Sequence, residues 1–243
     1  MRDRRLCTAT LAAFLLVVAA GEAVAAPFQV GDFITYSQES WGGDPTTEPA
    51  AQFLADHFMG FYGGGVEIGV SGNAGFSLIF TSAGTVIDAL PTCCSPSSLT
   101  KDEVDPSSTT SGLFGGSVLA LQFNVDFSDA GYLTGAAGTL FGDLILVDLP
   151  FTAEFNGFTV RQFLGVANTR LGGGAGSASY DALAALTEDL NSAFVSGDPS
   201  QFAQDHLQVA SQPVPEPAGL TLLGFGVGAG AVARRFKRRQ RRQ

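Results

Sequence analysis

Two apolar runs bordered by arginine stand at the ends of this chain, and they confine what the rest can fold into. At the front, Arg2, Arg4 and Arg5 precede the run Leu11 to Ala20. At the back, Ala218 to Ala233 carries no charge and runs into Arg234, Arg235, Lys237, Arg238, Arg239, Arg241 and Arg242. Such segments partition into a bilayer in preference to a water-soluble core. The foldable body is therefore expected within residues 26–209.

Residues 1–25 have the order of a secretory signal: basic region, short apolar run, then the small-x-small site Ala23-Val24-Ala25. Ala23 and Ala25 are the positions signal peptidase is expected to read. A cut after Ala25 leaves Pro27 second in the mature chain, more plausible than a cut directly before a proline. Cys7 precedes the apolar run and is not placed as a lipoprotein cysteine.

Residues 210–217 form a linker ending in Val214, Pro215, Glu216 and Pro217. Both prolines fix φ, lack a backbone donor and push the preceding residue toward an extended conformation, so the stretch is stiff and non-helical. The sixteen residues 218–233 reach about 24 Å as a helix, against a hydrocarbon core of roughly 30 Å. Thinning of the bilayer or snorkelling of the basic flank allows such a segment to span. The basic residues of 234–243 then lie in the cytoplasm, with Pro-Glu-Pro facing outward.

Val-Pro-Glu-Pro, a short Gly/Leu/Ala-rich span and an arginine-rich end, at 214–217, 218–233 and 234–242, resemble the PEP-CTERM sorting signal of Gram-negative bacteria. The resemblance covers about thirty residues and leaves the body untouched. It implies recognition by exosortase, a membrane-embedded transpeptidase-like enzyme, passage through the inner membrane, and delivery to the cell surface or an extracellular polysaccharide matrix. The alternative for the same residues is a plain membrane anchor.

Charge separates the ends from the middle. The full chain has 13 Lys and Arg against 23 Asp and Glu. The body keeps only Lys101, Arg161 and Arg170 among the basic residues and 20 of the acidic ones, a net charge of −17. A body of that sign repels nucleic acid and anionic membrane, so no nucleic-acid partner is expected. Its two cysteines, Cys93 and Cys94, are adjacent, and free thiols, a vicinal disulfide and an interchain bond stay open. No histidines at metal-ligand spacing accompany them.

The pattern of the body predicts an α+β fold, strands and a hairpin with short helices in the front half and mainly helices in the rear. Phe28 to Ser37 is expected as a strand and Trp41 to Pro45 as a turn. A helix starts near Glu48-Pro49, capped by Thr47, with Phe53, Leu54, His57, Phe58 and Phe61 on one face, and stops at Gly63–Gly65. Val66, Ile68 and Val70, then Phe76, Leu78 and Phe80, alternate as a hairpin. Ser82 opens a short helix ended by Pro91, followed by a polar loop to Gly112. Residues 113–127 fit both strand and helix; helix is preferred because the apolar stretch is long. Residues 144–149 are expected as a strand. Thr159 and Gln162 form a capping box for a helix carrying Val160, Phe163, Leu164, Ala167 and Leu171. Ser179 opens another with Leu183, Leu186, Leu190 and Phe194, and a third is expected with Asp198 as cap and Pro199 at its first position.

Chemistry is thinly signalled. No catalytic residue, cofactor-binding residue or metal ligand is assigned, and no cofactor is expected. Asp102, Glu103 and Asp105 could offer oxygens to Ca²⁺, but their spacing completes no EF-hand and a solvated acidic loop is preferred. His57 and His206, the latter beside Asp205, are expected as structural residues. The preferred function is a non-enzymatic surface or matrix protein associated with exopolysaccharide or biofilm. The first alternative is a carbohydrate-binding module using Trp41, Tyr36 or Tyr62 as stacking platforms. The second is a hydrolase drawing on Glu67, Asp126, Asp129 or Glu154.

Overall fold

A computed structural model describes residues 27–210, apart from 134, 136 and 137. Ala23 and Ala25, the motif Val214, Pro215, Glu216 and Pro217, the 218–233 span and the tail residues Arg234, Arg235, Lys237, Arg238 and Arg239 lie outside the described residues. Among the described residues no helix is long and apolar enough to cross a membrane.

The body is a mixed α+β fold. Its helices are α1 (Gln38–Trp41), α2 (Pro49–Tyr62), α3 (Ala83–Ala89), α4 (Leu113–Asp129), α5 (Val160–Leu171), α6 (Tyr180–Asn191) and α7 (Gln201–His206). Its strands are β1 (Val66–Gly69), β2 (Ser77–Phe80), β3 (Glu103–Val104), β4 (Ile145–Leu146) and β5 (Leu207–Gln208).

Everything is packed around α4. Phe114, Val118, Leu119, Leu121, Phe123, Val125 and Phe127 are all buried, which leaves this helix no solvent stripe. A helix apolar all round has to be surrounded, and α1, α5, α6 and β1 surround it. The alternating and the helical readings of this stretch were both satisfiable because every face of the helix is covered. Three buried polar residues on α4 find partners. Asn124 Nδ2 donates to Tyr36 O at 2.8 Å and Asn191 Oδ1 at 2.9 Å, while its Oδ1 accepts from Tyr36 N at 2.9 Å. Ser117 Oγ donates to Leu113 O at 3.0 Å, and Ser128 Oγ accepts from Phe141 N at 3.0 Å. Near its start α4 runs against the 92–95 segment. A Cβ at Gly116 would overlap Thr92 Oγ1 and Gln38 Oε1, so glycine is what lets the two segments touch.

β1 and β2 form the expected antiparallel hairpin, with Ile68 opposite Leu78. Sequence periodicity did not reveal β3, which pairs parallel with β2, Leu78 opposite Glu103. The acidic loop is what secures it. Asp102 accepts Ser77 N at 2.8 Å, and Asp105 accepts Thr81 N at 2.7 Å and the Thr81 hydroxyl at 2.6 Å. Glu103 pairs instead with Lys101 at 2.9 Å. The three carboxylates thus act separately, and among the described residues no group of three or more His, Cys, Asp or Glu could hold a metal ion.

Several expectations are corrected. The strand over 28–37 reduces to bridges, one of them Thr35 to Val195. A turn at Gln29–Asp32 interrupts it: Asp32 N donates to Gln29 O, and Asp32 Oδ2 accepts from Gln29 N. Phe28 and Phe33 then fold onto Phe194, with ring centroids 5.2 and 4.9 Å away. Trp41 is the last residue of α1, not part of the following turn, and is fully buried. Thr47 does not cap α2: the cap position is Glu48, without a side-chain bond, and the Thr47 hydroxyl donates to Asp44 O. The strand over 144–149 contracts to β4, because Asp148 adopts φ 50° and turns the chain; β4 pairs with β5, Leu146 opposite Leu207. For α7 the cap is Ser200, whose Oγ accepts from Ala203 N at 3.1 Å, so Asp198 and Pro199 lie in the preceding turn. Phe194 falls beyond α6 yet stays buried. The Thr159/Gln162 capping box and the caps Ser82 and Ser179 stand as expected.

Candidate functional site

The described surface offers a cleft of about 480 Å³ between the 149–152 segment, one face of α6 and α7. Local sequence builds each wall. On α6, Ala182, Ala185 or Leu186 and Asp189 recur at helical spacing, so an apolar stripe ends in a carboxylate. Opposite it, Leu149 is buried while Phe151 stands 89 % exposed. Phe202 and His206, one turn apart on α7, close the third side, with ring centroids 5.2 Å apart. The volume falls in the usual range for small-ligand pockets.

His206 is fixed by its backbone and its ring. Val147 N donates to His206 O at 3.0 Å, and His206 Nδ1 lies 3.2 Å from Val147 O. A carbonyl only accepts, so in this contact Nδ1 is the donor, and Nε2 is the ring nitrogen not engaged by Val147. Burial pushes the Asp189 carboxyl above the ordinary range, and the charge of His206 acts in the opposite direction. Asp205, the sequence neighbour of His206, instead accepts from Gln201 Nε2 at 2.7 Å on its own helix. The acid facing the histidine therefore comes from α6. Ser179 lines the far end, and its Oγ accepts from Ala182 N at 3.2 Å as the cap of α6. The cleft can hold an apolar group and present an acid and an imidazole to its polar end.

The other singled-out residues do not meet there. Trp41 is buried, Tyr36 packs edge-on against it at 5.3 Å, and the Tyr62 hydroxyl donates to Asp126 Oδ2 at 3.0 Å. Trp41 and Tyr62 also pack against Phe123 and Phe127 on α4. Trp41 is therefore part of the core, and Tyr36 and Tyr62 are half-buried against it. Among the carboxylates, Asp129 and Asp143 bind Arg161, and Glu154 accepts from Ser177 Oγ at 3.2 Å. Glu67 is exposed on β1. His57 packs on Phe53 at 4.4 Å and Tyr132 at 4.9 Å, as a member of its stripe. Sequence reasoning missed Asp189 and Phe151. The available signals were a carboxylate completing the α6 stripe and a phenylalanine directly after Pro150 in a loop.

Comparison of the chain with family models, with curated proteins and with solved structures finds no match.

Proposed function

We propose that this chain is an exported protein of the cell surface or extracellular matrix, released through its Pro-Glu-Pro signal by exosortase after signal peptidase has acted, and non-enzymatic in that setting. The observation that carries the reading is the pairing of Ala23-Val24-Ala25 with Val214-Pro215-Glu216-Pro217 on either side of an acidic body, each within a segment that also holds a basic cluster. In this reading the α+β body lies between a signal peptide and a transmembrane sorting helix, and an exopolysaccharide or biofilm matrix is its surroundings.

The closure of the body supports it. Phe28 N donates to Gln204 Oε1 at 3.1 Å, and Gln204 Nε2 donates to Phe28 O at 2.9 Å. Gly31 N donates to Gly197 O at 2.9 Å. The core is thus sealed between Phe28 and β5, and cuts at either signal spare it. Intact mass of the protein from its native host should lack residues 1–25 and the tail beyond about Pro217. Recovery of a full-length species in the inner membrane sinks the reading. Glu216→Ala should hold the protein at the inner membrane, and unchanged release of that variant counts against Pro-Glu-Pro recognition.

The cleft favours a second reading, in which the body is an exported binding module that offers Phe151, not Trp41, to its ligand. Retention of the body on immobilised exopolysaccharide, lost in Phe151→Ala, supports it; equal retention of the variant counts against it.

A further inference from the structure

Adjacent side chains seldom face each other. They point to opposite faces of a strand and diverge on a helix. Cys93 and Cys94 break this rule, with sulfurs 3.0 Å apart and both residues exposed and free. Cys94 adopts φ 82°, in the left-handed region, and the turn brings the thiols to one side.

The turn is held from both directions. Before it, the Thr92 N–H and hydroxyl donate to Gln38 Oε1 at 3.0 and 3.1 Å, tying the segment to α1. After it, Leu113 N donates to Cys94 O at 3.2 Å, and Ser97 N donates to Ser111 O at 3.0 Å. Gly112, with φ 61°, lies against this loop so closely that any Cβ would overlap Ser95 O. The backbone around the thiols is anchored to α1 and to the start of α4, and no other cysteine is found among the described residues.

We propose that Cys93 and Cys94 are a thiol–disulfide exchange site that closes reversibly into a disulfide between neighbours, with a low-molecular-weight disulfide as the oxidant. The sulfurs stand only about 1 Å beyond the bonded S–S distance. In the first step one thiolate attacks a sulfur of the small disulfide, forming a protein–small-thiol mixed disulfide and releasing one thiolate. In the second step the neighbouring thiolate attacks the protein sulfur of that mixed disulfide, forming the Cys93–Cys94 bond and releasing the second thiolate. The two cysteines lose two electrons and two protons in all, and the small disulfide becomes two thiols. Contact with Cys93 pushes the Cys94 thiol up, so the exchange gains speed as pH rises through the alkaline range.

The test uses the full chain in detergent with Cys7→Ser, so that only this pair can react. It is incubated with oxidised glutathione, quenched in acid and measured by intact mass. The pair should lose two hydrogens, carry only traces of glutathione and recover its thiols with dithiothreitol. Cys93→Ser and Cys94→Ser should each retain one glutathione, because the resolving thiol is gone. A stable load of one or two glutathiones on the unsubstituted pair, or covalent dimers through it, overturns the proposal.

Discussion

Asp126 on α4 and Asp189 on α6 both carry carboxyls raised by burial, yet the two sites are built differently. Asp126 is enclosed by donors: Tyr62 Oη at 3.0 Å and Gln122 Nε2 at 2.8 and 2.9 Å. The chain of contacts continues through Asn168, whose Nδ2 donates to Gln122 Oε1 at 3.5 Å and whose Oδ1 accepts from Gly69 N at 2.8 Å. It links α2, α4, α5 and β1. Asp189 opens onto a cleft, and among the described residues the charge of His206 is what offsets its burial. Burial alone therefore does not mark a functional acid. What separates the two is whether protein donors already occupy the carboxylate.

The sharpest test of that division lies beside Asp126. Asn124→Leu strips the partners from the Tyr36 backbone and from Asn191 in a fully buried place, and should lower stability in urea by about 3 kcal/mol. Asp126→Ala strands the Tyr62 hydroxyl and the Gln122 amide and should cost about 1–3 kcal/mol by the same measurement. A cost near zero for both breaks the assignment of this region to structure.

Asp189→Asn should change stability by no more than about 0.5 kcal/mol at neutral pH while altering what the cleft retains. Its clearer signature is pH dependence. A carboxyl whose folded pKa is raised favours the folded state while it is protonated. That contribution is lost as pH rises through the unfolded value, about 3.9, and then through the higher folded one. Asp126 adds the same sign. Stability should therefore fall less steeply above about pH 4 in Asp189→Asn than in the unsubstituted protein. An unchanged slope in urea titrations removes Asp189 from the account. The smallest effect is expected at the rim: Arg161→Gln breaks the exposed pairs with Asp129 and Asp143 and should cost about 0.2–1 kcal/mol, less at high salt.

Local signals account for the parts that were legible. The α5 capping box, the Ser82 and Ser179 caps and the amphipathic stripes of α2, α5 and α6 depend on residues within a turn or two of one another. α4 was ambiguous because a surrounded helix loses the polar face that sets its period. β3 and β5 are two residues long and exist through partners distant in the chain, so no run of their own could announce them. The cleft failed for the same reason. His206 was visible beside Asp205, but helical geometry sends Asp205 toward Gln201, and packing of α6 against α7 supplies Asp189 instead. Trp41 looked like a turn residue available for stacking until Ser37, accepting from Ser40 N, proved to cap the short helix that ends on it.

The reciprocal bonds between Phe28 and Gln204 make chain order partly a matter of convention. Where a residue near the start of a body bonds one near its end, a short linker can join the two ends and the chain can begin elsewhere, at an exposed turn such as Gly63–Gly65. A circular permutant opened there keeps every contact around α4. Its new ends would lie between α2 and β1 instead of at the Phe28–Gln204 seam, so a tether would leave the body from that turn.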